Sequence, residues 1–129
     1  PIVNLHCTLL PNYRGIGGIL QSLAAGESYL GCSVHQITSE EVDRGPIWAQ
    51  TKVKAYSGKS VFFHTFVLFR QARCTIDEAL RNFFSGETPL PNTNGSLFSW
   101  PDKSTYFKLR KNGRNMINLV DILRLSKMM

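Results

Sequence analysis

Asn4-Leu5-His6-Cys7-Thr8-Leu9-Leu10-Pro11-Asn12-Tyr13-Arg14-Gly15 decides how the rest of this 129-residue chain is read. Asn4 and His6 are two residues apart behind the β-branched pair Ile2-Val3, so an extended backbone turns both side chains to one face. Residues 9–15 read as a turn: Pro11 fixes φ, Asn12 tolerates turn geometry and Gly15 permits close backbone approach. A helix is expected next, because Ile16, Ile19, Leu20, Leu23 and Ala24 recur at helical spacing and Gly26 stands where a left-handed terminating residue is wanted. Residues 32–38 look extended, and a polar loop over residues 39–46 leads into a second extended run at 47–53. That loop carries Asp43, a carboxylate able to face the Asn4/His6 pair.

Further along, residues 54–59 are loop-like and Ser60 is suited to cap a helix. Phe62, Phe63, Phe66, Val67 and Phe69 follow, an aromatic stripe expected to be core, with His64 on the surface or internally satisfied. Thr75-Ile76-Asp77-Glu78 has the form of a capping box and predicts a separate short helix ending at Gly86. Residues 87–95, rich in Pro, Asn and Thr, read as a surface loop and as the internal boundary. Asn112-Gly113 between residues 106–110 and 114–117 is a two-residue hairpin signal, and Asn118 is placed to cap a last turn or helix.

The length suits one domain with one core, and 43% hydrophobic residues argue against wholesale disorder. No apolar run is long enough to span a bilayer and the start has no signal-peptide pattern, so a cytoplasmic protein without a membrane role is expected. Three cysteines, Cys7, Cys32 and Cys74, form no CxxC pair and fit reduced thiols. A formal charge of +6 favours anionic partners such as phosphorylated substrates, folate glutamates or RNA. No metal site is expected, because adjacent His6 and Cys7 diverge to opposite strand faces and Cys32 and His35 have opposite parity.

In order and spacing the first segment resembles the Asn-x-His-Pro-Ser-Leu-Leu-Pro-x-Tyr-x-Gly stretch of the folate-dependent formyltransferases. That family includes glycinamide ribonucleotide, methionyl-tRNA and sugar-nucleotide N-formyltransferases. Gly31-Cys32-Ser33-Val34-His35 and Val42-Asp43-Arg44-Gly45-Pro46-Ile47 resemble the family's Gly-x-Thr-x-His and Asp-x-Gly-x-Ile stretches. The resemblance covers roughly the first 40% of the chain, and several matches in register are more specific than one. Cys7 and Thr8 stand where the family pattern has Pro and Ser.

The resemblance implies an α/β fold, the C-terminal part of a formyltransferase-like (Rossmann-type) domain followed by a small β element. Residues 1–86 would be the catalytic subdomain, and residues 87–129 a loop, hairpin and short helix that help hold the acceptor. The donor would be 10-formyltetrahydrofolate and the acceptor a small amine, on an amino sugar nucleotide or another phosphorylated molecule. Formyl transfer needs donors aimed at the developing oxyanion and a route for the amine proton. By resemblance Asn4 would polarise the formyl oxygen, His6 would stabilise the oxyanion and shuttle protons, and Asp43 would tune His6 and hold a water. His35 would support them structurally. Arg14, Trp100 and Tyr106 are the candidate acceptor-binding residues. In the family the Asn-x-His strand lies inside a parallel sheet behind an N-terminal Rossmann-like half. A longer parent, a second chain or a homo-oligomer is therefore expected to cover its edge. The alternative is a non-catalytic remnant that binds a partner, or RNA through the basic segment Lys103, Lys108, Arg110, Lys111 and Arg114.

Overall fold

A computed structural model describes residues 2–127. Its elements are β1 (Val3–His6), β2 (Arg14–Gly15), α1 (Gly18–Ala25), β3 (Tyr29–Gln36), β4 (Ile47–Lys54), α2 (Val61–Phe84), β5 (Leu97–Phe98), α3 (Lys103–Lys111) and α4 (Leu119–Ser126). One sheet has the order β1-β3-β4, and β2 with β5 forms a second, small parallel pair.

Alternation along β3 builds the scaffold. Leu30, Cys32 and Val34 are buried in the apolar core, while the alternate positions Ser33 and His35 are buried polar residues. Leu20, Leu23, Ala24, Val61 and Leu68 share a core with Leu30 and Cys32, so α1 and α2 close the apolar face. Gly31 admits the turn after β1, since a side chain there would overlap Leu9 and the Thr51 carbonyl. β1 runs antiparallel to β3 and pairs Asn4 with His35 and His6 with Ser33. Among the described residues the Asn4/His6 strand therefore has an antiparallel neighbour and no parallel one. Ser33 Oγ fixes the turn by donating to the Thr8 carbonyl at 2.6 Å and accepting from Leu10 N at 3.0 Å and Gln50 Nε2 at 2.7 Å.

The helix ends follow local chemistry. Gly26 terminates α1 at φ 82°, with amide bonds back to Leu23 and Ser22. Ser60 caps α2, its hydroxyl accepting from Phe63 N, and Asn118 caps α4 by accepting from Val120 N. Two expectations fail here. A second helix does not begin at Thr75: α2 runs unbroken for 24 residues. No Gly or Pro interrupts residues 61–84, and the fully buried Thr75 hydroxyl meets Thr51 Oγ1 at 2.6 Å and the Gln71 carbonyl at 3.1 Å. Nor is there a hairpin at Asn112-Gly113. Asp102 caps α3 by accepting from Thr105 N, Asn112 ends it, and Gly113 takes φ 68° beyond that end. The same dipeptide that suits a hairpin turn suits a helix C-terminus, because both want a left-handed residue.

The aromatic stripe of α2 is also corrected. Phe63 is buried as expected, but Phe62 and Phe69 are exposed, and the other buried positions are Val61, His64, Leu68, Ala72, Thr75 and Ala79, spaced by three and four residues. His64 is buried at 1% exposure, with Nδ1 2.8 Å from the Ser60 carbonyl and Nε2 accepting from Tyr56 N at 2.9 Å. That pattern fits the neutral ring with its proton on Nδ1. Burial lowers the His64 pKa from its ordinary 6.5, the Ser60 carbonyl opposing this and Arg114 adding to it. Asp121, in the first turn of α4, is a buried carboxylate. Its carboxylate takes Lys59 Nζ and Ser60 N, each at 2.8 Å. Burial raises its pKa, but these partners outweigh burial and hold it below the ordinary 3.8.

Leu109 of α3 is buried at 1% exposure in the same core as Leu20 and Leu23. The chain beyond residue 87 therefore shares apolar packing with the chain before it. Leu109→Ala should lower the unfolding free energy by about 2–5 kcal/mol in one cooperative urea transition. An early separate transition for α3 would contradict this. Because His64 is harder to protonate folded than unfolded, the unfolded state binds more protons below pH 6.5. Its contribution to stability is complete above that pH and falls as the pH drops, so unfolding measured from pH 7 to 5 should be less pH-dependent in His64→Gln than in the wild type.

Candidate active site

β1 ends at His6, and the chain turns through Leu10-Pro11, a cis peptide, and Tyr13 at φ 56° to reach β2. From the other side the loop between β3 and β4 brings Asp43 in at φ 49°. A left-handed backbone at a residue with a Cβ is strained by about 1–2 kcal/mol, and asparagine and aspartate tolerate it better than most. The strain aims the carboxylate between two strands.

Asp43 is the hub. Its Oδ2 lies 3.3 Å from His6 Nδ1 and accepts from Gly15 N at 2.9 Å. Its Oδ1 lies 3.3 Å from His35 Nε2 and accepts from Asn4 Nδ2 at 3.2 Å. Asn4 Nδ2 also sits 3.2 Å from His35 Nε2, whose other nitrogen is 3.2 Å from the Gln36 carbonyl. A neutral His35 with its proton on Nδ1 donates to Gln36 and accepts from Asn4. His6 differs in having oxygen on both sides and no donor beside it: Nδ1 faces the carboxylate, and Nε2 the Tyr13 carbonyl at 2.9 Å. A neutral ring can donate to one of these; the imidazolium donates to both. The arrangement can therefore hold a proton beside a carboxylate, with an amide donor on the carboxylate's other oxygen.

Sequence reasoning brings Asn4, His6 and Asp43 together, and the structure adds His35 to them directly. Two participants carry no side-chain signal: the Tyr13 carbonyl and the Gly15 amide. Gly15 is required at φ 91°, because a side chain there would overlap the Phe98 carbonyl. Tyr13 stacks on Phe98 at 5.2 Å and donates its hydroxyl to Glu27 at 2.8 Å. Burial and then Glu27 raise its pKa to about 12.

Cavities flank the row on both sides. One of about 540 Å³ is bounded by His6, Cys7, Gly17, Val61, Trp100 and Tyr106 among others. The other, of about 230 Å³, is bounded by Asn4, His35, Asp43 and residues 36–42. Trp100 and Tyr106 thus stand in the His6 cavity, Trp100 with 77% of its surface exposed. Arg14 does not. It is buried, and its terminal nitrogens donate to the Gly95 carbonyl at 2.9 Å and the Val42 carbonyl at 3.4 Å. Cys7 borders the same cavity, its thiol brought down to about 7 by the Cys32 side chain against the effect of burial.

Residues 1–62 match the family described as formyl transferase. Phosphoribosylglycinamide formyltransferase of Escherichia coli K12 is 41% identical over 59 residues, which are 46% of this chain and 27% of that protein. Glycinamide ribonucleotide transformylase 1 from Symbiobacterium toebii superposes with a TM-score of 0.62 at 34% identity, over 66% of this chain and 40% of that one. The formyltransferase PseJ from Anoxybacillus kamchatkensis was solved with UDP-4,6-dideoxy-4-formamido-L-AltNAc and tetrahydrofolate. It superposes with a TM-score of 0.69 at 25% identity, over 86% of this chain and 59% of that one. The chain therefore spans well under two thirds of the length of these proteins. Asn4, His6, His35 and Asp43 all fall inside the matched residues, which are a little under half of the chain.

Proposed function

We propose that this chain carries the catalytic row of an enzyme that moves a formyl group from 10-formyltetrahydrofolate to an amine. The acceptor we favour is an amino sugar nucleotide or another phosphorylated small molecule, handled within a longer parent or complex. One observation carries the reading: a single carboxylate contacts Asn4, His6 and His35 at 3.2–3.3 Å inside the family-matched segment. The cavity beside Asn4 is walled by the peptides and polar side chains of residues 36–42, a donor and acceptor set suited to the pteridine ring of a folate. Folate supplies the activated formyl group. The His6 cavity, with Trp100 and Tyr106, then faces the acceptor.

In this reading the chain's own groups divide the work. The His6 imidazolium donates toward the oxygen that gains negative charge when the amine attacks the formyl carbon, its Nε2 exchanging the Tyr13 carbonyl for that oxygen. Asn4 adds a second donor by exchanging its contact with His35 or Asp43 for one to that oxygen. Asp43 compensates the imidazolium and accepts, through water, the proton that the amine loses; as the oxyanion collapses the bond from the formyl carbon to the donor nitrogen breaks, and that nitrogen takes up the proton. Fixed donors at a developing oxyanion are each worth about 100- to 1000-fold in rate.

A second reading rests on charge. Residues 100–129 hold seven lysines and arginines against two acidic residues, beside exposed Trp100 and Phe107, which suits RNA. Calorimetric titration with a stable 10-formyltetrahydrofolate analogue separates the two. Saturable binding weakened by Asn4→Ala supports formyl transfer. Salt-dependent RNA binding without folate binding supports the alternative.

In a transfer assay with an amino sugar nucleotide, His6→Ala and Asn4→Ala should each lower kcat about 100- to 1000-fold with smaller changes in KM. Unchanged rates would exclude the assigned roles. Asp43→Asn keeps the shape but removes the charge opposite His6, and should reduce kcat similarly while analogue binding by calorimetry changes little.

A further inference from the structure

We infer that Asn92 and Arg14 form a clamp that positions the Asp43 carboxylate, so that a segment outside the family-matched residues sets the geometry of the catalytic row. The inference rests on the formyl-transfer reading only for what the positioned carboxylate serves.

The loop around Asp43 does not hold its own shape. Ser39, Glu40 and Glu41 are exposed, and the local side-chain bonds are one from Glu41 N to Ser39 Oγ at 3.3 Å and an ion pair of Arg44 with Glu41 at 3.3 Å. Yet Asp43 takes a left-handed backbone there. The fixing contacts come from far along the chain. Asn92 Nδ2 donates one N–H to the Asp43 carbonyl and the other to the Gly45 carbonyl, both at 2.8 Å. Arg14 reaches the preceding carbonyl, that of Val42, at 3.4 Å, and ties it to Gly95 at 2.9 Å. Arg14 N also donates to the Ser96 carbonyl, joining β2 to the strap that carries Asn92. The carbonyls of residues 42, 43 and 45 are thus all gripped from outside the loop.

Both gripping side chains are buried, Asn92 at 5% and Arg14 at 8% exposure. Each leaves one buried polar atom without a partner among the described residues, Asn92 Oδ1 and Arg14 Nε. Such leftovers are disfavoured in a folded protein. At both arms the polar atoms that are engaged are the N–H groups that hold the Asp43 loop. Asparagine at 92 meets the need because one amide nitrogen supplies two N–H groups to two carbonyls. Aspartate would set oxygen against oxygen, and alanine would free both. Asn92 is a positioning residue, acting on His6 and His35 through Asp43.

The test is nitrogen-15 NMR of the histidine rings in this chain, with Asp43→Asn as the reference for lost coupling and His64, remote from the clamp, as the internal control of folding. In Asn92→Ala and Asn92→Asp, the ring signals of His6 and His35 should move toward those of Asp43→Asn while His64 stays put. The Gly15 amide, which donates to Asp43, should exchange at least about tenfold faster, the factor for losing one hydrogen bond. Wild-type His6 and His35 signals in these variants would overturn the clamp. Should they not fold, Arg14→Lys carries the same two outcomes, since it keeps the charge but cannot fork between Val42 and Gly95. Absence of formyl transfer in the longer parent or complex that carries this chain, with these shifts present, would sink the catalytic reading alone. Transfer with the shifts absent would sink the clamp alone.

Discussion

The contact between the Asp43 carboxylate and the His6 and His35 imidazoles makes sense of the surrounding structure. A carboxylate set between two strands and largely withdrawn from water needs its lone pairs occupied, and here Asn4 donates to one oxygen and the Gly15 amide to the other, with His6 Nδ1 beside the second. Those partners come from β1, β2 and β3, so their mutual placement depends on strand register. The apolar residues fix that register. Leu30, Cys32 and Val34 can face the core only if Ser33 and His35 face the other way, and β1 pairs so that Asn4 meets His35. A slip of one residue would bury Asn4 and expose Leu5. Hydrophobic burial, which has no chemical selectivity of its own, sets the geometry of a polar site to within hydrogen-bond distance.

The polar face of the sheet is buried too, and it is satisfied in a different manner from a surface. Ser33 Oγ makes three hydrogen bonds, and Gln50 Nε2 reaches both Ser33 and the Leu10 carbonyl. A hydroxyl with one proton and two lone pairs has all of them in use, so the turn from Thr8 to Leu10 is attached to β3 at two backbone groups. His6 lies two residues before the start of that turn. The rigidity of the site on this side comes from a network with no role in chemistry.

How far the sequence discloses this depends on distance along the chain. Gly26, Ser60 and Asn118 announce their helix ends because capping involves the nearest three or four residues. The Asn4/His6 pair follows from strand parity, and Asp43 from a family pattern that places a carboxylate at a set interval. Thr75 misleads because the same hydroxyl that caps a helix can bond back to residue i−4, and which it does depends on Thr51, distant in sequence. Asn112-Gly113 misleads because a left-handed glycine serves two structures equally, and the Asp102 cap that decides between them lies ten residues earlier. Phe62 and Phe69 mislead because hydrophobicity marks residues that prefer burial, whereas α2 offers the sheet one narrow stripe. Asn92 carries no signal at all. In a loop rich in asparagine and proline it reads as a turn residue, and its two partners are 49 and 47 positions away.

That distance bears on how such a site is kept. Asn4, His6 and Asp43 fall in the segment that matches the family model. What holds Asp43 at its angle is constrained only by the need for two N–H groups in the right place, a demand that many loops could meet with different residues. The strap from residue 90 to residue 98 meets it here with Asn92 and with the Gly95 and Ser96 carbonyls gripped by Arg14. The polar row and its support from the strap are thus joined at one peptide, that of Val42 and Asp43. The side chain beyond it faces the histidines, and the carbonyls beside it face the strap. A carboxylate whose backbone is fixed from one side and whose oxygens are engaged from the other loses little orientational freedom when a substrate arrives, which is the condition for charge stabilisation without reorganisation.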